Sequence, residues 1–294
     1  MGVAAEIPSA QSHAQQRATL KPFVRADGKN GRLRHVYAVA IAELNTTVEQ
    51  EATALAADLG ITAYEARLKL STGMPAIVLT SQDKALAMQC LTNLRARGHE
   101  AIACDANAIV PNSAMTSLKR FRLDGDGIIA SKGVVLPYPS ILALVRATHR
   151  LQSETRSQVE EKKFRPAAAL ITGGLVMTKT ITREIVAQKE ERMQVLYIFR
   201  NDGEPWILRE AGTDYSSLAE KRAPTQIENF RATIELLRAR APHAVYDERL
   251  VSARKASGQI VSVGAGGSGF AASTEPGTDL LANLIALGIA RTRP

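Results

Sequence analysis

The sequence contains few aromatic residues, few cysteines and no long apolar run. Aromatic residues make up 4% of the 294 residues, so aliphatic side chains and alanine must fill the hydrophobic interior. Its two cysteines, Cys90 and Cys104, sit in apolar surroundings without metal-ligand spacing, which favours reduced thiols in a cytoplasmic protein over a disulfide framework. The longest apolar runs, at 166–177 and 280–290, are shorter than the roughly 20 residues that cross a bilayer. We therefore expect no transmembrane segment.

Motifs for catalysis and cofactor binding are absent or incomplete. The segment 264–269 satisfies the GxGxxG pattern formally, but too few residues follow it for the acidic strand of a dinucleotide fold, so a flexible linker is predicted. In 173–180, Thr178 stands where a phosphate-binding loop has glycine. The DGDG turn at 124–127 lacks the later ligands of a calcium loop, and the five histidines are scattered. We predict a protein that is not an enzyme and holds no cofactor or metal. An enzyme whose site is assembled from distant segments is the alternative.

The net charge is strongly positive, at +8 with a pI near 9.6. Such a charge favours acidic partners, which include nucleic acid, anionic lipid and an acidic protein surface. Residues 1–33 have little apolar periodicity and several basic residues, and we predict a disordered basic arm there.

The segment 34–106 has the pattern of a small α/β domain. Apolar runs and helical periodicity separated by glycine and proline mark each element. We predict strands at Val36–Leu44, Ala76–Thr80 and Glu100–Cys104, and helices at Val48–Leu59, Ala63–Leu70 and Lys84–Arg97.

This element order resembles the C-terminal domain of the bacterial ribosomal stalk protein and, more distantly, the Clp protease adaptor fold, over about 33–106. The residues that carry the resemblance are Leu59-Gly60-Ile61, Glu65-Ala66-Arg67, Gly73-Met74-Pro75 and Arg97-Gly98-His99. In the stalk domain these are packing and turn positions, so the resemblance implies the fold. Tyr64 stands where that domain has a lysine on its factor-binding helix, which argues against a shared ribosomal function.

A second domain is predicted at 118–242, after a linker at 107–117. Its clearest element is the hairpin Met193–Glu210, in which alternating apolar residues flank Asn201-Asp202-Gly203. A capping box of Thr225 and Glu228 starts an amphipathic helix that ends at Arg240. Short strands closed by one such helix resemble bacterial pleckstrin-homology-like domains over about 117–242. We expect the helix to pack on the sheet beneath Trp206 and Tyr197.

Three further segments complete the predicted organisation. Residues 152–180 form an insertion whose charged first half is predicted to be helical or mobile, while its apolar second half forms a covered hairpin or a dimer contact. The residues of this predicted protein-contact patch are Leu170, Leu175, Val176 and Met177. Residues 243–277 are predicted to be a Gly/Ser-rich linker, and 278–290 a helix that must dock on another part of the chain.

Basic residues of the second domain are candidates for an anion-binding face, where a lipid headgroup or nucleic acid could bind. They are Arg120, Arg122, Arg146, His149, Arg150, Lys162, Lys163 and Arg165. A solvated face paired with nearby glutamates is the alternative interpretation.

The sequence thus predicts an α+β protein with two separate hydrophobic interiors, one on either side of Pro111. The leading functional hypothesis is a non-enzymatic regulatory or scaffolding protein that binds other proteins, with a homodimer as one form of that contact. A binder of anionic ligands and an enzyme are the rival hypotheses.

Overall fold

The computed structural model describes residues 35–131, 133–164, 178–252, 260–263 and 269–292 of an α+β protein. Two modules and a C-terminal helix make up the fold. We call residues 37–105 the first module and residues 116–273 the second module.

The first module is a three-stranded antiparallel sheet covered by three helices. Its strands are β1 (Tyr37–Glu43), β2 (Ala76–Ser81) and β3 (Glu100–Asp105), in the order β2-β1-β3, and its helices are α1 (Val48–Leu59), α2 (Ala63–Leu70) and α3 (Lys84–Ala96). The predicted order of elements over 34–106 is confirmed, and every boundary agrees to within about two residues.

Local capping explains why these helices start and end where they do. The side chains of Thr47 and Thr62 each accept a hydrogen bond from the backbone N–H three residues later. The side chains of Gln50 and Glu65 in turn accept one from the backbone N–H of Thr47 and Thr62, which completes two capping boxes. Gly60 adopts a left-handed conformation (φ +64°) and ends α1, a geometry that other residues rarely adopt.

The second module is built around a seven-stranded sheet. Its order is β12-β13-β8-β9-β10-β4, with β11 pairing β8, and β5-β6-β7 form a separate small sheet. The strands are β4 (Thr116–Ser117), β5 (Phe121–Leu123), β6 (Gly127–Ala130), β7 (Val135–Pro137), β8 (Ile141–Phe164), β9 (Thr178–Arg200), β10 (Trp206–Arg209), β11 (Val245–Glu248), β12 (Ile260–Val263) and β13 (Gly269–Ser273). The helices are α4 (Gln226–Arg240), α5 (Arg249–Ser252) and α6 (Glu275–Thr292), and short 3-10 turns lie at Ala106–Ala108, Tyr138–Ser140 and Ser216–Lys221.

The predicted hairpin and amphipathic helix are both confirmed. Trp206 pairs with Ile198 in the antiparallel ladder of β9 and β10. The capping box of Thr225 and Glu228 starts α4, whose residues Phe230, Ile234 and Leu237 pack on the sheet together with Trp206. Tyr197 was expected beneath this helix, but it points to the opposite face, because neighbouring residues of a strand alternate.

The C-terminal helix α6 lies between the two modules. Its buried residues Leu281, Leu284 and Ile285 pack in one hydrophobic cluster with residues of both sheets. The first module contributes Ala40, Ala42, Ile77 and Ile102, and the second contributes residues that include Val145, Tyr197 and Ile207. The expectation of two separate interiors is therefore wrong, since this shared interior draws on both sides of Pro111. Strands of the two modules do not join into one sheet in the described part of the chain.

Two predicted segments differ from the structure. The first half of the insertion was expected to be helical or mobile, but β8 and β9 pair without interruption from Ala143 to Phe164. The predicted linker at 243–277 contains β11, α5, β12 and β13, and β13 pairs with β8. The charged residues in the insertion and the glycines in the linker have low strand propensity, so the sequence did not predict these strands. They form because cross-strand partners stabilise a strand as much as its own propensity does.

Candidate functional site

The predicted anion-binding residues of β5 and its surroundings are exposed and lie away from the rest of the set. Arg120 is exposed just before β5, and Arg122 is exposed on β5 with its guanidinium 3.7 Å from the Asp124 carboxylate. Both belong to the small-sheet region, whereas the other described candidates, Arg146, His149, Arg150, Lys162 and Lys163, belong to β8.

The candidates on β8 divide between two faces of the large sheet. Arg146 hydrogen-bonds Gln194, and Arg150 lies 4.0 Å from Glu190 on the same face. His149 is 3% exposed and points to the opposite face, so it cannot belong to a common basic surface with these arginines. The backbone of Lys162 and Lys163 continues β8, and Arg165 lies outside the described residues. Arg146 and Arg150 therefore share one face of β8, and His149 lies on the other face.

The predicted protein-contact patch at Leu170, Leu175, Val176 and Met177 lies outside the described residues. An exposed apolar pair occurs instead on α2, where Tyr64 is 69% exposed and Leu68, one turn later, is 50% exposed. The opposite side of α2 buries Ala66 and Leu70 against the first module. Arg67 is exposed between Tyr64 and Leu68, so an apolar pair and a cation share the outer face of α2.

A buried polar network closes the first module. The Arg97 guanidinium donates two hydrogen bonds to the Glu51 carboxylate (2.7 and 3.0 Å), and it lies 2.8 Å from an Asp58 carboxylate oxygen. The backbone N–H of Asn45 donates to His99 Nδ1, so the proton of the neutral ring is on Nε2, which faces Glu51 Oε2 at 2.5 Å. Each residue of this network has a partner within the module, although Asp58 Oδ2 has only its ion pair with Arg97, and this pairing indicates a structural role.

A second buried chain of polar side chains fixes the start of α6. His149 Nε2 is 2.7 Å from the Tyr197 hydroxyl, and that hydroxyl donates to Asp279 Oδ1 at 2.6 Å. Asp279 also accepts from the backbone N–H of Asn112 (2.8 Å) and from its side-chain amide (3.3 Å). Arg209 donates to Asn112 Oδ1 at 3.0 Å. We call His149, Tyr197 and Asp279 the buried chain.

The electrostatics of the buried chain follow from its burial. Burial raises the pKa of Asp279, and hydrogen bonds from Asn112 and Tyr197 offset only part of this effect. Burial and the Asp279 charge raise the pKa of Tyr197 well above its ordinary value. Glu275 is 42% exposed, and its interaction with His149 lowers its pKa. The buried chain thus links His149, which lies beside the partly exposed Glu275 carboxylate, to the buried carboxyl group of Asp279.

Sequence reasoning missed the buried chain because its members are far apart. His149 and Tyr197 lie 48 residues apart, and Tyr197 and Asp279 lie 82 apart. One signal was present: His149 occupies an inward position of β8 after Val145 and Ala147, and a polar residue at such a position needs a partner.

Comparisons with known proteins yield no match: no family model, curated protein or solved structure is similar to this chain. None of the helices in the described ranges has the length and apolar character that a bilayer crossing requires. The described residues also contain no group of three or more His, Cys, Asp or Glu side chains that could hold a metal ion.

Proposed function

We propose that the protein is a non-enzymatic regulatory or scaffolding protein that binds another protein through the outer face of α2. The exposed pair Tyr64 and Leu68 carries this proposal. Aromatic residues are enriched at protein interfaces, because a Tyr ring buries a large area at low entropic cost. Tyr64 is the most exposed large hydrophobic residue in the described part of the chain, and Leu68 beside it is half exposed.

The partner that fits this face has an apolar pocket or groove with acidic residues beside it. Arg67 is exposed between the apolar residues, and Lys69 lies at the edge of the same face. Glu65 does not neutralise this surface fully, since its carboxylate turns back to the N-terminus of α2 and hydrogen-bonds Thr62. Opposite charges on the partner would accelerate association and select orientation.

A stalk-type fold for the first module and a pleckstrin-homology-like fold for the second module remain part of the proposal. The element order of residues 37–105 supports the first of these resemblances. On this interpretation, Tyr64 replaces the charged contact of a stalk domain with an aromatic one, so the partner class has changed. A cytoplasmic location is also proposed, which the two free thiols, Cys90 and Cys104, support.

Site-specific photo-crosslinking tests the proposed surface. A photoreactive amino acid is placed at position 64 or 68 of the full chain, and at Thr53, an exposed position on α1, as the matched control. We expect one protein to be captured at 64 and 68 but not at 53, and a Tyr64→Ser, Leu68→Ser variant to lose it while its circular dichroism is unchanged. Equal capture at all three positions would contradict the proposal, as would binding that survives both substitutions.

A further inference from the structure

The hydrogen bonds of the buried chain constrain where its protons lie. Both Asn112 groups that contact Asp279 are N–H donors, so the Asp279 carboxyl must accept from them. The Tyr197 hydroxyl has a single proton, which it can give either to Asp279 or to His149 Nε2. In the first case His149 Nε2 carries a proton, and in the second case Asp279 Oδ1 carries one.

These two arrangements differ only by the shift of two protons along the chain. With Asp279 ionised, His149 donates to the Tyr197 oxygen, and an imidazolium can also offer its Nδ1–H to Glu275. With Asp279 protonated, each hydrogen bond reverses, and His149 is neutral with its proton on Nδ1. One proton is therefore shared between His149 and Asp279, and either position leaves Tyr197 with both hydrogen bonds made.

The outer end of the chain is less well paired than the inner end. His149 Nδ1 lies 3.5 Å from Glu275 Oε1, too far for a good hydrogen bond, and it has no closer partner among the described residues. If the shared proton is lost, the bare Nδ1 lone pair faces the Glu275 carboxylate. Glu275 and Asp279 would then both be negative, and Arg209 on β10 would be the cation facing them.

We propose that His149, Tyr197 and Asp279 form a proton-sharing latch that holds the first turn of α6 and residue 112 against the large sheet and loosens when the shared proton is lost. Among the described residues, the charged groups that face the latch are Arg209 on β10 and Glu275 on α6. Since α6 also fills the shared interior, the latch would make the contact between the two modules depend on pH.

The direction of the pH effect follows from linkage. A carboxyl group whose pKa is raised in the closed state binds its proton more tightly there than in the open state. Closure is therefore favoured at lower pH, and the stabilisation is lost as the pH rises through the raised pKa of Asp279. Glu275 has the opposite effect. Because its pKa is lowered in the closed state, protonation of Glu275 in acid favours the open state.

Hydrogen exchange of the full chain tests the latch without any substitution. Protection of the amides in the first two turns of α6 is measured at about pH 6 and about pH 9, corrected for the intrinsic rates, and compared with that of α4. We expect protection in α6 to fall severalfold relative to α4 as the pH rises, because the raised pKa of Asp279 favours the closed state at lower pH. Equal changes in the two helices would overturn the proposal.

Two substitutions separate a latch from a purely structural contact. Asp279→Asn imitates the protonated carboxyl, so α6 should keep its protection at about pH 9 and lose its pH dependence. Tyr197→Phe keeps the ring but disconnects His149 from Asp279, so protection should be low at both pH values. Asp83→Asn, at the exposed N-cap of α3, is the control and should behave as wild type.

Nitrogen-15 NMR of the histidine rings provides a readout that packing alone would not change. In Asp279→Asn the shifts should place the proton of the neutral His149 ring on Nδ1, whereas the Asp83→Asn spectrum should match wild type. Unchanged His149 shifts in Asp279→Asn would refute proton sharing even if the variant were less stable.

Discussion

Because α6 fills an interior to which both modules contribute, the two modules should unfold together. Leu284 is the residue to change, since it is 1% exposed and lies in the shared interior. Leu→Ala substitutions at such positions cost about 2–5 kcal/mol. A loss of about 3 kcal/mol lowers the urea midpoint by about 1 M when the m-value is about 3 kcal/mol per M.

The chain carries a native probe for each module. Trp206 is its single tryptophan and is 2% exposed beneath α4, so its fluorescence reports the second module. Cys90 is 2% exposed within the first module, and its labelling by a thiol reagent, in a Cys104→Ala background, reports the first module. Both probes should give one urea midpoint, and Leu284→Ala should lower both equally.

Substitutions confined to one module are the controls for this prediction. Leu55→Ala weakens the hydrophobic core of the first module, and Ile234→Ala weakens the hydrophobic core beneath α4 in the second module. If the fold is one cooperative unit, each should also move both probes. The reasoning would be refuted if fluorescence and labelling report different midpoints, or if Leu284→Ala shifts only one of them.

Three further predictions concern single positions. Arg97→Met leaves the Glu51 carboxylate buried beside the His99 ring without its bidentate cation, and should lower the free energy of unfolding in urea by about 3–5 kcal/mol. A loss below about 1 kcal/mol would mean that water or a proton replaces the cation. Gly127→Ala would place a Cβ 2.4 Å from a backbone carbonyl oxygen and should lower the melting temperature, whereas Gly125→Ala, with nothing within 4 Å, should not. Burial raises the pKa of Cys90 to about 11. At about pH 8 its thiol should therefore react with a maleimide at least about a hundredfold more slowly than a free cysteine, and the rate should rise with pH. Fast labelling in native buffer would contradict this prediction.

The sequence predicted the elements whose signals are local. The capping box of Thr225 and Glu228 predicted the start of α4, and helical spacing of apolar residues predicted α1, α2 and α3. The hairpin after Arg200 was equally clear, because turn residues separate two apolar runs. In each case residues close in the chain decide the structure.

The features that sequence could not predict depend on contacts between distant residues. The sequence of α6 showed that it must be buried, but nothing in it specified that one side would meet Ile102 and another Tyr197. The 152–164 stretch lacks a strand pattern of its own, and its pairing with β9 decides its structure. Asp279 is the second residue of the predicted helix 278–290, and its role depends on Asn112, which is 167 positions earlier.

The position of α6 in the chain has a consequence for how the protein folds during synthesis. Every other described element leaves the ribosome before α6 does, yet the surfaces that meet α6 are apolar on both modules. Until residue 292 has emerged, those surfaces face water, and a nascent chain in that condition is open to aggregation or to capture by chaperones. Among the described elements, α6 is therefore the one whose synthesis ends this vulnerable interval.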